Sequence, residues 1–235
     1  MAVSVSLLAG LAITGGAASA ASTPDKGVAQ AGVLTLQDFP NGWAPKPRSP
    51  SSSFPSSIFS KIPVCRQFKV LLANSKTGTH ADSRSDFTDG TVTVDNGVVV
   101  YPDVAHALKP FTAAKGTALS NCLQQLLKNA IGAELAKKGL SSSVQNLAVV
   151  SEPASSGVTA GDDQTTIALT VTFTARGISQ SLYVKLVIVR VGRALDTFDF
   201  ENDTSPITVT LPAVLGASVT RLQAALGPPT HAVTS

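Results

Sequence analysis

The feature that most constrains this chain is the run TTIALTVTFTARGISQSLYVKLVIVRVGRALDTFDFE at residues 165–201. Ile167, Leu169, Val171 and Phe173 alternate with threonine or alanine. Leu182, Val184, Leu186 and Ile188 alternate with Tyr183, Lys185, Val187 and Val189. A period of two places one set of side chains on each face of a sheet. Arg176-Gly177 and Gly192-Arg193 leave room only for tight turns, so successive strands are antiparallel neighbours. Together with Val144 to Glu152, the pattern predicts four strands: 144–152, 165–176, 178–190 and 194–201.

The segment before this meander has the helical period. Val104, Ala105, Leu108 and Phe111 share a face, and Gly116 separates them from a second run of Leu119, Cys122, Leu123, Leu126, Leu127 and Ile131. Lys137-Lys138 and then Gly139 suit the end of that helix. A final helix is expected from Ser205-Pro206, with Val209, Ala213, Val214, Ala217 and Leu222 turned inward and Gly227-Pro228-Pro229 ending it. Upstream, TVTVDNGVVVYPD carries Asp95-Asn96-Gly97 between β-branched runs. It reads as a tight hairpin, with a single bulged strand as the alternative. Thr79 to Phe87 suggests an edge strand, and Ile62 to Leu72 a short helix. The expected class is α+β: a twisted antiparallel sheet with helices packed on it.

Met1 to Ser22 has no charged side chain. It contains an apolar run from Val3 to Ile13, and Ala18 and Ala20 match the small-residue pattern of a signal-peptidase site. The run is short for a membrane span, which needs about 20 apolar residues. The expected organisation is a signal peptide at 1–22, a linker at 23–33, one domain at 34–228 and a disordered tail at 229–235. Behind an export leader, the only two cysteines, Cys65 and Cys122, suggest one disulfide, two free thiols being the alternative. LTLQDFPNGW at 34–43 holds the only tryptophan, Trp43, read as a structural anchor of the core.

Chemistry is sparse. The composition is 43% hydrophobic and 14% charged, which excludes wholesale disorder. The net charge of +3 is not gathered into a basic face, so no nucleic-acid partner is expected. His80, His106 and His231 have no partner at metal-ligand spacing, and no metal or cofactor is expected. Asp162-Asp163 reads as a solvated turn, Arg190 and Arg193 as surface charges. No nucleophile-elbow, phosphate-loop or zinc-protease motif is present. Neither His80 nor His106 is expected to meet a hydroxyl or thiol nucleophile in a pocket. The main groove is expected between the sheet and the final helix.

Taken together, LTLQDFPNGW, Cys65, VYPDVAHA at 100–107, SNCLQQLL around Cys122 and VIVRVGRAL at 187–195 resemble the extracellular sensor domains of PknH-type actinobacterial Ser/Thr kinases and their secreted relatives. The likeness spans most of Leu34 to Leu226. It implies an α+β fold with a groove for a ligand, but no ligand residue that can be carried over. The chain departs in having one cysteine pair instead of two, and in showing no kinase domain or membrane anchor. The expected function is that of a secreted, non-catalytic binding or sensor-like domain of the cell envelope or exterior. Its partner would be a small ligand or an envelope component. The alternatives are an envelope enzyme or enzyme accessory, and an interaction protein without a small ligand.

Overall fold

A computed structural model describes residues 23–46, 62–66, 78–82, 86–137, 144–152, 160–175, 177–207 and 212–227. The leader, Phe68, Leu71, Leu72, Val209, His231 and the tail lie outside them.

An eight-stranded antiparallel sheet forms the middle layer, in the order β1-β3-β4-β8-β7-β6-β5, with β2 also pairing β4. The strands are β1 (Ala44–Lys46), β2 (Thr79–Asp82), β3 (Asp86–Thr88), β4 (Val92–Val100), β5 (Val144–Glu152), β6 (Asp163–Ala175), β7 (Ile178–Val191) and β8 (Ala194–Asn202). The described helices are α1 (Thr23–Ala31), α2 (Val104–Ala114), α3 (Thr117–Lys137) and α4 (Pro212–Leu226). The α+β class is as expected, and the four-strand meander falls within a residue or two of its predicted bounds.

Strand alternation makes two cores. Ile167, Leu169, Val171 and Phe173 of β6 face one side with Leu182, Val184, Leu186 and Ile188 of β7, under Phe111 of α2 and Cys122, Leu123, Leu126, Leu127 and Ile131 of α3. The other face carries Val94, Val98 and Val100 of β4, Val187, Val189 and Val191 of β7, and Phe198 and Phe200 of β8. It is packed by Ala29 of α1 and by Val214, Leu215, Val219 and Leu222 of α4. The Cys65–Cys122 disulfide is formed, with Cα atoms 4.9 Å apart. It ties a 3-10 turn at Pro63–Cys65 to α3 inside the first core.

Three expectations are corrected. Asp95-Asn96-Gly97 makes no hairpin: Val92 to Val100 pairs residue for residue with Asn202 to Ala194. A turn there would break the central ladder. It would also withdraw the Asn96 side chain, which accepts from Leu34 N (2.9 Å) and donates to the carbonyl of Gly32 (2.9 Å). The stretch read as a linker at 23–33 is instead α1 and its exit. Ala29 and Leu34 are buried in the second core, because Thr23 to Ala31 has too few apolar residues to signal a helix until the sheet supplies a surface. The last helix begins at Pro212, not near Pro206. Proline suits a first helical turn, where its missing N–H costs nothing. Of its inward candidates Val214 and Leu222 are buried, Ala213 is exposed, and Leu215, Ser218 and Val219 join them.

The Thr79 to Phe87 stretch holds two short strands, β2 and β3, both paired with β4. Of the helix expected at 62–72, the described part is the Pro63–Cys65 turn.

Candidate functional site

Most residues singled out from sequence are engaged in local structure. Asp103 caps α2: its Oδ1 accepts from His106 N (2.9 Å) and lies 2.8 Å from His106 Nδ1, at an exposed position. The two hydrogen bonds from His106 hold the Asp103 carboxyl below the usual carboxylate range. His80 sits half-buried on β2, opposite Val99. Asp162 Oδ2 accepts from Arg190 Nη1 (2.9 Å) and Gly192 N (2.7 Å). Asp163 takes both its oxygens to Lys115 Nζ (2.8 and 2.7 Å), and this hydrogen bond lowers its pKa. The two aspartates thus point to different partners, Arg190 and Lys115.

Arg193 is not a loose surface charge. Its Nη1 donates to the Tyr101 carbonyl (2.6 Å) and its Nη2 to Asp25 on α1 (2.6 Å). Trp43 is half-buried and stacks on Phe39, with ring centroids 4.7 Å apart. Phe39 in turn meets Phe87 at 4.7 Å. Leu36 to Asp38, inside the LTLQDFPNGW stretch, form a 3-10 turn, and Gly42 takes the positive φ (99°) that the turn before Trp43 requires.

A surface depression lies along α2, lined by Ala105, His106, Leu108, Lys109, Thr112 and Ala113. It is not the groove between sheet and final helix that the sequence led us to expect. Leu108 is exposed there because α2 spends its other face, Ala107, Phe111 and Ala114, on the first core.

Three polar features escaped the sequence reading. The first is a row of carboxylates across the sheet. Asp95 on β4 is directly opposite Asp199 on β8, and continuing the Phe87–Val94 register sets Asp86 of β3 beside Asp95. All three are buried, and each takes part in a further interaction; like charges directly opposite on adjacent strands oppose pairing.

The second is Lys185, 6% exposed, in the middle of β7. It lies opposite Phe200 on one side and Ala168 on the other, on the face where β6 carries Thr166, Thr170 and Thr172 and β7 carries Ser181 and Tyr183. Its Nζ donates to the Ile207 carbonyl at a long 3.4 Å, and among the described residues no carboxylate pairs with it. Burial pushes the amine below its ordinary value. The alternation of SLYVKLVIVRVG marks Lys185 as facing away from the first core. It carries no sign that the neighbourhood is closed over.

The third feature is a fully buried network. Asn96 Nδ2 donates to Asp196 Oδ1 (3.0 Å), while Ser218 Oγ lies 2.5 Å from Asp196 Oδ2 and 2.5 Å from the Gly32 carbonyl. Asp196 and Ser218 are both 0% exposed. Arg221 on α4 surrounds the same segment. Its Nε donates to Ala31 O (2.8 Å), and its guanidinium grips Asp38 through Nη1 (2.5 Å) and Nη2 (3.0 Å). The N-terminal segment is therefore fastened to α4 and to the two central strands.

Among the described residues no helix is long and apolar enough to cross a membrane, and no group of His, Cys, Asp and Glu has metal-holding geometry. No family model matches the chain, and neither does any curated protein. Among solved structures the chain is similar to the extracellular domain of PknH from Mycobacterium tuberculosis, with a TM-score of 0.41 and 9% identity over 85% of this chain and 96% of that one.

Proposed function

We propose that this chain works outside the cell as a single-domain, non-catalytic binding or sensor-like module, and that it recognises a small ligand bearing an anionic group. The observation that carries the reading is Lys185. Among the described residues no carboxylate pairs with this buried ammonium; such a charge is costly to keep, and an anionic group from outside the fold would supply its counter-charge. Around it Thr170, Thr172, Ser181 and Tyr183 offer hydroxyls on a rigid sheet, the kind of surface that orients a polar ligand. The Cys65–Cys122 bridge suits an oxidising compartment, as an exported protein requires. In this reading residues 1–22 are the leader, and the domain begins with α1.

The test is native mass spectrometry of the full chain recovered from its own culture medium, as wild type and as Lys185→Met. A retained mass on the wild type that is lost from the variant supports the proposal. Bare protein in both, or the same adduct on both, overturns it.

A further inference from the structure

The hydrogens available to the Asn96–Asp196–Ser218 network can be counted. Leu34 N donates to Asn96 Oδ1, which fixes the amide so that Nδ2 faces the Gly32 carbonyl and Asp196 Oδ1. Asn96 thus fills those two directions with its two hydrogens. Ser218 Oγ then makes two further oxygen–oxygen contacts, each 2.5 Å, to the Gly32 carbonyl and to Asp196 Oδ2. A hydroxyl owns one hydrogen, and a peptide carbonyl owns none. If Ser218 donates to Gly32, the hydrogen between Ser218 and Asp196 must belong to the carboxyl.

We infer that Asp196 is kept as a neutral carboxylic acid that donates to Ser218, and that its proton locks the N-terminal segment, α1 through Leu34, against β4, β8 and α4. Each group it joins belongs to a different piece: Gly32 to the segment, Asn96 to β4, Asp196 to β8 and Ser218 to α4. The fit is close. A Cβ on Gly32 would come within 2.9 Å of Val98 Cγ2 and 3.4 Å of Leu222 Cδ1. Asp196 itself is fully buried, so an ionised carboxylate gains solvent only when its covering lifts.

Among the described residues the charges near Asp196 are few. Arg221 of α4 favours the ionised form but is spent on Asp38. Arg193, beyond β7, is spent on Asp25 of α1. Lys185 lies further along the same face of β7. Burial outweighs them and pushes the carboxyl up from 3.8 to about 7. The sign follows. A raised folded pKa makes docking strongest below about pH 4, weakens it as pH rises between about 4 and 7, and removes the contribution above the folded value.

Two measurements on the full chain test this. The Asp196 carboxyl carbon, assigned by triple-resonance NMR on the wild type, reports ionisation directly. Trypsin cleavage after Lys26, in α1, reports lifting. The wild-type rate is divided at each pH by that of Asp196→Asn, which cannot ionise. The carboxyl is expected to titrate near neutrality. The cleavage ratio is expected to rise by roughly tenfold per pH unit between about 5 and 7. A carboxyl already ionised at pH 5 overturns the inference, and so does a cleavage ratio flat with pH. Should Asp196→Asn not fold, the carbon titration on the wild type stands alone and decides.

Discussion

Lys185 and Asp196 lie on the same face of the sheet, and each is a buried ionisable group solved differently. Asp196 is surrounded by donors and acceptors fixed by other elements, so keeping its proton satisfies every neighbour. Among the described residues Lys185 has one weak acceptor and otherwise meets Phe200, Ala168 and hydroxyl-bearing strands. Its charge is therefore a standing cost. Replacing a buried charge with an apolar group of similar length commonly gains stability. Lys185→Met should raise the unfolding free energy by about 1 kcal/mol at pH 7, read from denaturant midpoints at constant slope. The gain should shrink at alkaline pH, because the wild-type amine, with its lowered folded pKa, loses its proton before an ordinary lysine at 10.5 does. A loss of 1 kcal/mol or more would mean that the ammonium is a structural partner and not a recognition group.

At the scale of elements, α3 depends on what it is tied to. Its buried stripe, Cys122, Leu123, Leu126, Leu127 and Ile131, packs over β5 and β6, and the disulfide adds a covalent tie to the Pro63–Cys65 turn. Closing a loop with a sequence separation of 57 is worth roughly 4 kcal/mol in the chain-entropy account. Cys122→Ser should lower the melting temperature by on the order of 10 °C. An unchanged melting temperature would show the bridge to be thermodynamically idle.

The stripe of α3 and the alternation of β6 and β7 were legible in the sequence because period and burial coincide there. Two other elements were not. β4 carries a strong local turn signal at Asp95-Asn96-Gly97. That signal is overridden by pairing with β8, about a hundred residues away, and by an Asn96 side chain that makes its contacts across the sheet. α1 is polar enough to pass for a linker, and its burial depends on Gly32 and Arg221, whose roles exist only once α4 is in place. The same limit hid the candidate site. Lys185, Asp196 and Ser218 sit on three successive elements, β7, β8 and α4, in no motif, and become chemically distinct only through burial. Cys65 and Cys122, by contrast, could be paired by counting.

Across the whole molecule, one sheet serves two cores. Val98 of β4 and Val187 of β7 face the α1/α4 side, while their chain neighbours Val99 and Ile188 face the α2/α3 side. Removing either helical layer would expose one full set of these side chains while the other set still depends on the same strands. Partial unfolding of a whole layer is therefore unfavourable, and the domain should melt as one unit at pH 5, where the Asp196 proton also keeps the N-terminal segment docked. Trp43 packs on the second core, beside Phe39, and the disulfide lies in the first. Reducing the bridge perturbs one layer, and tryptophan fluorescence reports the other. With the bridge reduced, the fluorescence midpoint should fall as far as the midpoint seen by far-ultraviolet circular dichroism, and the two curves should superimpose. If the fluorescence midpoint stays at its oxidised value while the helical signal melts earlier, the two layers are independent and the shared-sheet account fails.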